Sequence, residues 1–173
     1  MKKDFKAIGD TYQGGIIFYL DGNGGGLIAA PSDQSASAEW GCVGVLVAGG
    51  ITGLDDCKAI GRGYQNTIDM INANSFTTNL GAADICVNLI LGGHSDWFLP
   101  SKDELYQMYL NIGQGNALGL GNIGGFSNNW YWSSTDFSEH RAWRQYFNPG
   151  NIALWQRYTI KGLPNYVRAI RSF

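Results

Sequence analysis

The closing stretch constrains the fold more than any other part of this chain. It reads Trp130-Tyr131-Trp132-Ser133-Ser134-Thr135, then Ala142-Trp143, Phe147, Gly150, Lys161 and finally Tyr166 through Phe173. Between these aromatic and basic blocks stand residues that follow no hydrophobic period. A strand that packs one face on a core must alternate. A surface shaped for contact need not. The contrast implies a rigid scaffold carrying a recognition surface, and it points away from a catalytic cleft.

The 173 residues suit one domain, read as residues 13–173 behind a polar lead-in, 1–12. A chain of this size buries roughly 70% of its unfolded surface, so it needs neither metal nor disulfide to fold. Charged residues are 15%, below the usual figure of about 25%. Aromatics reach 13% and glycines number 25. Together these suggest a loop-rich domain of the extracellular, cell-surface or phage-virion kind. No apolar run has membrane length and no signal peptide is visible, so no membrane span is expected.

Charge is unevenly placed. Residues 136–173 hold six cations against Asp136 and Glu139, a net +4, which leaves −6 of the total −2 for the rest. A basic end on an acidic body favours an anionic partner. The alternative is that these arginines pair with acidic residues elsewhere in the fold. Cys42, Cys57 and Cys86 have no CxxC spacing. One disulfide, Cys42–Cys57 or Cys57–Cys86, and three buried thiols are equally consistent with that pattern.

Strands are expected at Gly15–Leu20 and Leu27–Ala30, joined by a turn over Asp21–Gly26. Residues 31–62 read as a long loop with a buried-looking Val43–Val47. Two helices follow. One carries Tyr64, Ile68 and Ile71 on its inner face. The other carries Ala82, Ile85, Cys86, Leu89 and Ile90, and Gly92-Gly93 stops it. A third starts at Ser101-Lys102-Asp103-Glu104, a capping box, with Leu105, Met108, Tyr109 and Ile112 buried. Strands are then expected at Tyr131–Thr135, Trp143–Phe147, Ile152–Tyr158 and Val167–Phe173, with a turn over Asn148–Asn151. Strands at both ends with helices between them make an α+β domain whose terminal strands pair.

Most chemical motifs fail on context. Gly119-Leu-Gly-Asn-Ile-Gly124 spells a dinucleotide fingerprint, but a helix precedes it where a strand is required. His94, Ser95 and Asp96 hold the residue types of a triad, yet sequence neighbours seldom face one another, and Asp96 and Ser95 read as turn residues before Trp97. No Cys/His spacing suits zinc. Neither cofactor nor nucleic-acid partner is expected. Trp97, Trp132, Trp143, Arg168 and Arg171 are read as scaffold. The contact surface is read as Phe137, His140, Arg141, Arg144, Tyr146, Ile152, Leu154, Trp155, Arg157 and Tyr158, because Tyr, Trp and Arg dominate binding surfaces.

Gly93 through Leu105, with its Asp-Trp and Leu-Pro-Ser core, resembles a characteristic block of the Lcl C-terminal domain family, named for a collagen-like bacterial adhesin. The opening hairpin, Tyr131–Thr135 and Val167–Arg171 resemble further parts of that family. Leu99–Glu104 is also similar to a helix start in formylglycine-generating-enzyme-like domains. These likenesses imply a C-type lectin-like fold, with antiparallel sheets, two to three helices and long loops. The closing half resembles the variable proteins of diversity-generating retroelements, which would make residues 132–173 a diversified ligand-binding segment on a fixed frame. The calcium-binding sugar motifs of lectins are absent, so calcium would be at most a structural ion. No cysteine follows Cys86, so oxidase chemistry is not carried over. The expected function is non-enzymatic recognition of a host cell-surface protein or glycan. The alternatives are a homotrimeric structural knob of a fibre or pilus, or an enzyme on the same fold.

Overall fold

The computed structural model describes residues 6–47, 55–74, 80–150 and 156–173. Strands β2 (Gly15–Leu20) and β3 (Gly26–Ala29) form the opening hairpin. Its turn is set by Asp21, whose Oδ1 accepts from the amides of Asn23 at 2.7 Å and Gly25 at 3.0 Å. β1 (Thr11–Tyr12) pairs antiparallel with β2, so the sheet begins inside the segment expected to be a lead-in. β9 (Ile170–Ser172) pairs antiparallel with β3, Ala29 opposite Ile170. The strands near both ends of the chain therefore meet in one sheet of order β1-β2-β3-β9.

A second sheet has the order β4-β8-β5-β6-β7. Its strands are β4 (Ser35–Ala38), β5 (Trp130–Ser138), β6 (Arg141–Tyr146), β7 (Gln156–Ile160) and β8 (Asn165–Val167). All pairings are antiparallel except β5 with β8, where Tyr131 stands opposite Tyr166. The single closing strand expected at Val167–Phe173 is split into β8 and β9. The break falls at Arg168, which is 1% exposed. Its Nη1 donates to the carbonyls of Ala30 and Gly124, and its Nε to Asp33 Oδ1 at 2.8 Å. The guanidinium lies 4.2 Å from the centre of the Phe126 ring. There the chain leaves one sheet and enters the other.

Alternation along β5 divides the interior. Trp132 packs into a cluster with Trp40, Trp97, Met70 and Cys86. Tyr131 packs into a second cluster with Phe18, Phe126, Phe147 and helix α3 (Lys102–Ile112). The expected capping box is present in α3: Ser101 Oγ accepts from the Glu104 amide, and Glu104 Oε2 accepts from the Ser101 amide at 2.7 Å. Glu104 is fully buried and its Oε1 also accepts from the Gly61 amide. Burial pushes its carboxyl above the usual range, against the pull of those amides. The buried stripe is the expected one.

The other helices differ from expectation. In α1 (Gly63–Asn74) the buried positions are Gly63, Asn66, Thr67 and Met70, whereas Tyr64 is 52% exposed. Polar side chains hold the inner face because each has a backbone partner: Asn66 donates to the Cys57 carbonyl, and Thr67 Oγ1 accepts from the Leu99 amide. Helix α2 (Ala82–Val87) is short and buries Ala82, Ala83 and Cys86, while Ile90 lies outside it and exposed. Gly92-Gly93 does not stop a helix. The pair makes a tight turn with φ of 63° and 79°, closed by mutual hydrogen bonds between Leu91 and His94. Val43 and Val45, expected to be buried, are exposed.

All three cysteines are buried thiols, and none of them forms a disulfide. Burial raises each, Cys42 to about 11. At pH 8 such a Cys42 is thiolate in only about one molecule in a thousand. Native protein should therefore resist a thiol reagent while denatured protein reacts at all three positions, and a reductant should leave Tm unchanged. A rapidly modified thiol in the native state would contradict this. Replacing Arg168 with Met should cost about 3–5 kcal/mol in denaturant unfolding, the usual result of stripping one partner from a buried ion pair.

Candidate recognition surface

Five consecutive residues of β5 support this surface from beneath. Trp132 Nε1 donates to the Ala38 carbonyl at 2.8 Å. Ser133 Oγ donates to the Trp143 carbonyl, and the Ser133 carbonyl accepts from Trp40 Nε1 at 2.6 Å. The Ser134 amide donates to the Pro100 carbonyl. Thr135 Oγ1 donates to the Cys57 carbonyl and accepts from the Lys102 amide. Asp136 Oδ2 accepts from the Val47 amide at 2.8 Å and lies 3.5 Å from Lys161 Nζ, both side chains fully buried. Lys161 also donates to the Val45 carbonyl and sits 4.3 Å from the Trp40 ring. Burial lowers the Lys161 pKa, and Asp136 opposes that shift.

The contact candidates do not share one surface. On the α3 side of the sheet, Phe137 and Tyr158 stack with ring centres 3.8 Å apart and planes at 4°. Trp143 meets both edge-on, at 5.7 and 5.4 Å. Arg141 lies 5.6 Å from the Tyr158 ring and Lys102 lies 5.3 Å from Trp143. Phe137 and Tyr158 are each 41% exposed. Arg144 and Arg157 stand opposite each other on β6 and β7, one residue out of step with the pair Trp143–Tyr158. Side chains alternate along a strand, so these arginines occupy the other face, with Tyr146 and Trp130, whose ring centres are 4.9 Å apart. His140 is exposed at the β5–β6 turn. Ile152, Leu154 and Trp155 lie outside the described residues.

Two side chains escaped sequence reasoning. Trp143, read as scaffold, is half-buried at the centre of the aromatic cluster, and Trp130 carries the Arg144 guanidinium 4.0 Å above its ring. The signal was the pairing register, which a single strand does not display. Trp97, Trp132 and Arg168 are buried as scaffold.

Of the two readings of the basic end, pairing within the fold holds for three of its six cations. Lys161, Arg168 and Arg171 each face a carboxylate, of Asp136, Asp33 and Asp96. Among the described residues, no carboxylate bridges Arg141, Arg144 or Arg157. Asp96 thus serves Arg171, whose hydrogen bond holds its carboxyl below the usual range. Gly119–Gly124 lies in the loop between α3 and β5. Among the described residues there is no cluster of three or more metal-ligating side chains, and no helix is long and apolar enough to cross a membrane.

The family model for the Lcl C-terminal domain matches residues 33–171. The chain belongs to the Lcl C-terminal domain family. The span matching this Lcl domain covers helices α1, α2 and α3 and the whole second sheet, and begins after the opening hairpin. No curated protein matches the chain.

In this Lcl domain, Lys161→Met should strand Asp136 in the interior and cost about 3–5 kcal/mol. Since 1 kcal/mol moves Tm by about 2–4 °C at this size, calorimetry should record a fall of at least about 6 °C. A smaller fall would mean that the pair is not what ties the 42–47 loop to the sheet.

Proposed function

We propose that this domain is a non-enzymatic recognition module with a C-type lectin-like fold. It acts at a bacterial or phage surface and binds a protein or glycan of a host cell. It uses no cofactor, and its contact surface is the sheet formed by β5, β6 and β7. The observation that carries the reading is the outward stack of Phe137 and Tyr158 around Trp143. Rings of this size left in water on a well-buried frame are the usual mark of a contact site. Arg141 and Lys102 beside them supply directed donors.

The alternation of buried and exposed positions supports a fixed frame with changeable contacts. Trp132 through Asp136, Ala142, Phe147, Lys161 and Val167 through Ile170 are buried. Phe137, His140, Arg141, Arg157 and Tyr158 between them are exposed. Substitution at the second set costs the fold little, as diversification of residues 132–173 by a retroelement requires. A near-copy of the codons for this segment beside a reverse-transcriptase gene is the expected genomic companion.

Arrays of host-surface proteins and of glycans, probed with the wild type and with Phe137→Ala/Tyr158→Ala, test the reading. The double variant should lose at least about tenfold in affinity for whatever the wild type captures, since hot-spot aromatics contribute about 2 kcal/mol or more. Its Tm should stay within about 6 °C, as substitutions at exposed sites change stability little. Unchanged capture by this variant would remove the aromatic stack from the site.

A further inference from the structure

The turn of the opening hairpin, Asp21-Gly22-Asn23-Gly24-Gly25, holds the one asparagine of the sequence that is followed by glycine. Asp21 Oδ1 accepts from the amides of Asn23 and Gly25, on either side of Gly24. Among the described residues, no group accepts from the Gly24 amide, and none binds the Asn23 side chain. Asn23 and Gly24 are both exposed. A side-chain carbon built at Gly22 or Gly24 would meet nothing within 4 Å, so water surrounds the turn. Gly24 has a φ of 100° and no side chain, which leaves its nitrogen open on the side of Asn23. By contrast, Asn66, Asn111, Asn122 and Asn165 hold their side-chain amides in hydrogen bonds.

We propose that Asn23 is a site of spontaneous deamidation, with water as the only co-reactant, and that the reaction weakens the hairpin turn. The Gly24 nitrogen loses its proton to solvent and attacks Asn23 Cγ. A carbon–nitrogen bond forms there, the Cγ–Nδ2 bond breaks, and the departing nitrogen takes up protons and leaves as ammonia. The product is a five-membered succinimide, and nothing is oxidised or reduced. Water then opens the ring. Cleavage between Cγ and the Gly24 nitrogen leaves aspartate. Cleavage between the Asn23 main-chain carbonyl and that nitrogen leaves isoaspartate, whose backbone runs through Cβ and Cγ. Both products add a negative charge to a chain of formal net charge −2. The isoaspartate also lengthens the main chain between residues 23 and 24 by one atom. The amides of Asn23 and Gly25 then no longer both reach Asp21 Oδ1. The inference does not depend on the recognition reading, because this turn belongs to the first sheet and the contact surface to the second.

The test is incubation of the native full chain at pH 8.5 and 37 °C, followed by ion exchange and by peptide mapping with mass spectrometry. Asn23 should convert at least about tenfold faster than any other asparagine, a barrier difference of about 1.4 kcal/mol. The rate should rise with pH, because the attacking nitrogen must lose its proton. Asn23→Ser, which keeps a small polar residue at this exposed position, should lack the early acidic species. The isoaspartyl fraction should melt about 2–4 °C below the unreacted chain, the effect of losing one hydrogen bond at this size. The site is overturned if another asparagine converts first, if the same early species forms from Asn23→Ser, or if Asn23 reacts only after the chain is unfolded in urea. An isoaspartyl fraction that melts with the unreacted chain would overturn the weakening of the turn.

Discussion

The buried guanidinium of Arg168 joins the two sheets. It binds Asp33 after β3, the Ala30 carbonyl at the end of the opening hairpin, and the Gly124 carbonyl before β5. Asp33 in turn accepts from the Tyr131 hydroxyl, which receives the Ser127 amide. One cation thus ties together segments more than a hundred residues apart. A planar, always-charged donor suits this site because it can serve several carbonyls and a carboxylate at once. An apolar residue there would leave those acceptors buried and unmet.

The second buried cation works at the other end of the same sheet. Lys161 and Asp136 fix the 42–47 loop against the β5–β6 hairpin. Between these two anchors, the hydroxyls of Ser133 and Thr135 and the Trp132 indole satisfy buried backbone groups of neighbouring segments. The strands that carry the exposed aromatics and arginines are therefore held from below, mostly by side-chain to backbone hydrogen bonds. Such a frame sets no requirement on what the outward side chains are. That independence lets the sheet carry an exposed aromatic stack on one face and, on the other, two arginines that meet no carboxylate among the described residues.

Much of the frame was legible in the chain. The capping box at Ser101, the Asp21 turn, the Leu105–Ile112 stripe and the pairing of terminal strands all follow from local chemistry. Other elements were not legible. The inner face of α1 carries Asn66 and Thr67, which look exposed until their partners at Cys57 and Leu99 are known. The closing strand reads as continuous because nothing local marks Arg168 as a crossing point. Gly92-Gly93 suits a helix stop as well as a two-residue turn, and only the return of His94 onto Leu91 decides between them.

By itself, the sequence determined an α+β fold of the Lcl C-terminal kind, with a closing segment built from aromatic and basic blocks. Patterning and capping are local, so short stretches suffice to specify them. Only the tertiary structure decided that Phe137, Trp143 and Tyr158 share one face while Arg144, Tyr146 and Arg157 share the other. Facing depends on the register between β5, β6 and β7, and a one-residue change in register moves every side chain to the opposite side. For the same reason, the third dimension alone distinguished cations that meet a carboxylate from those that do not.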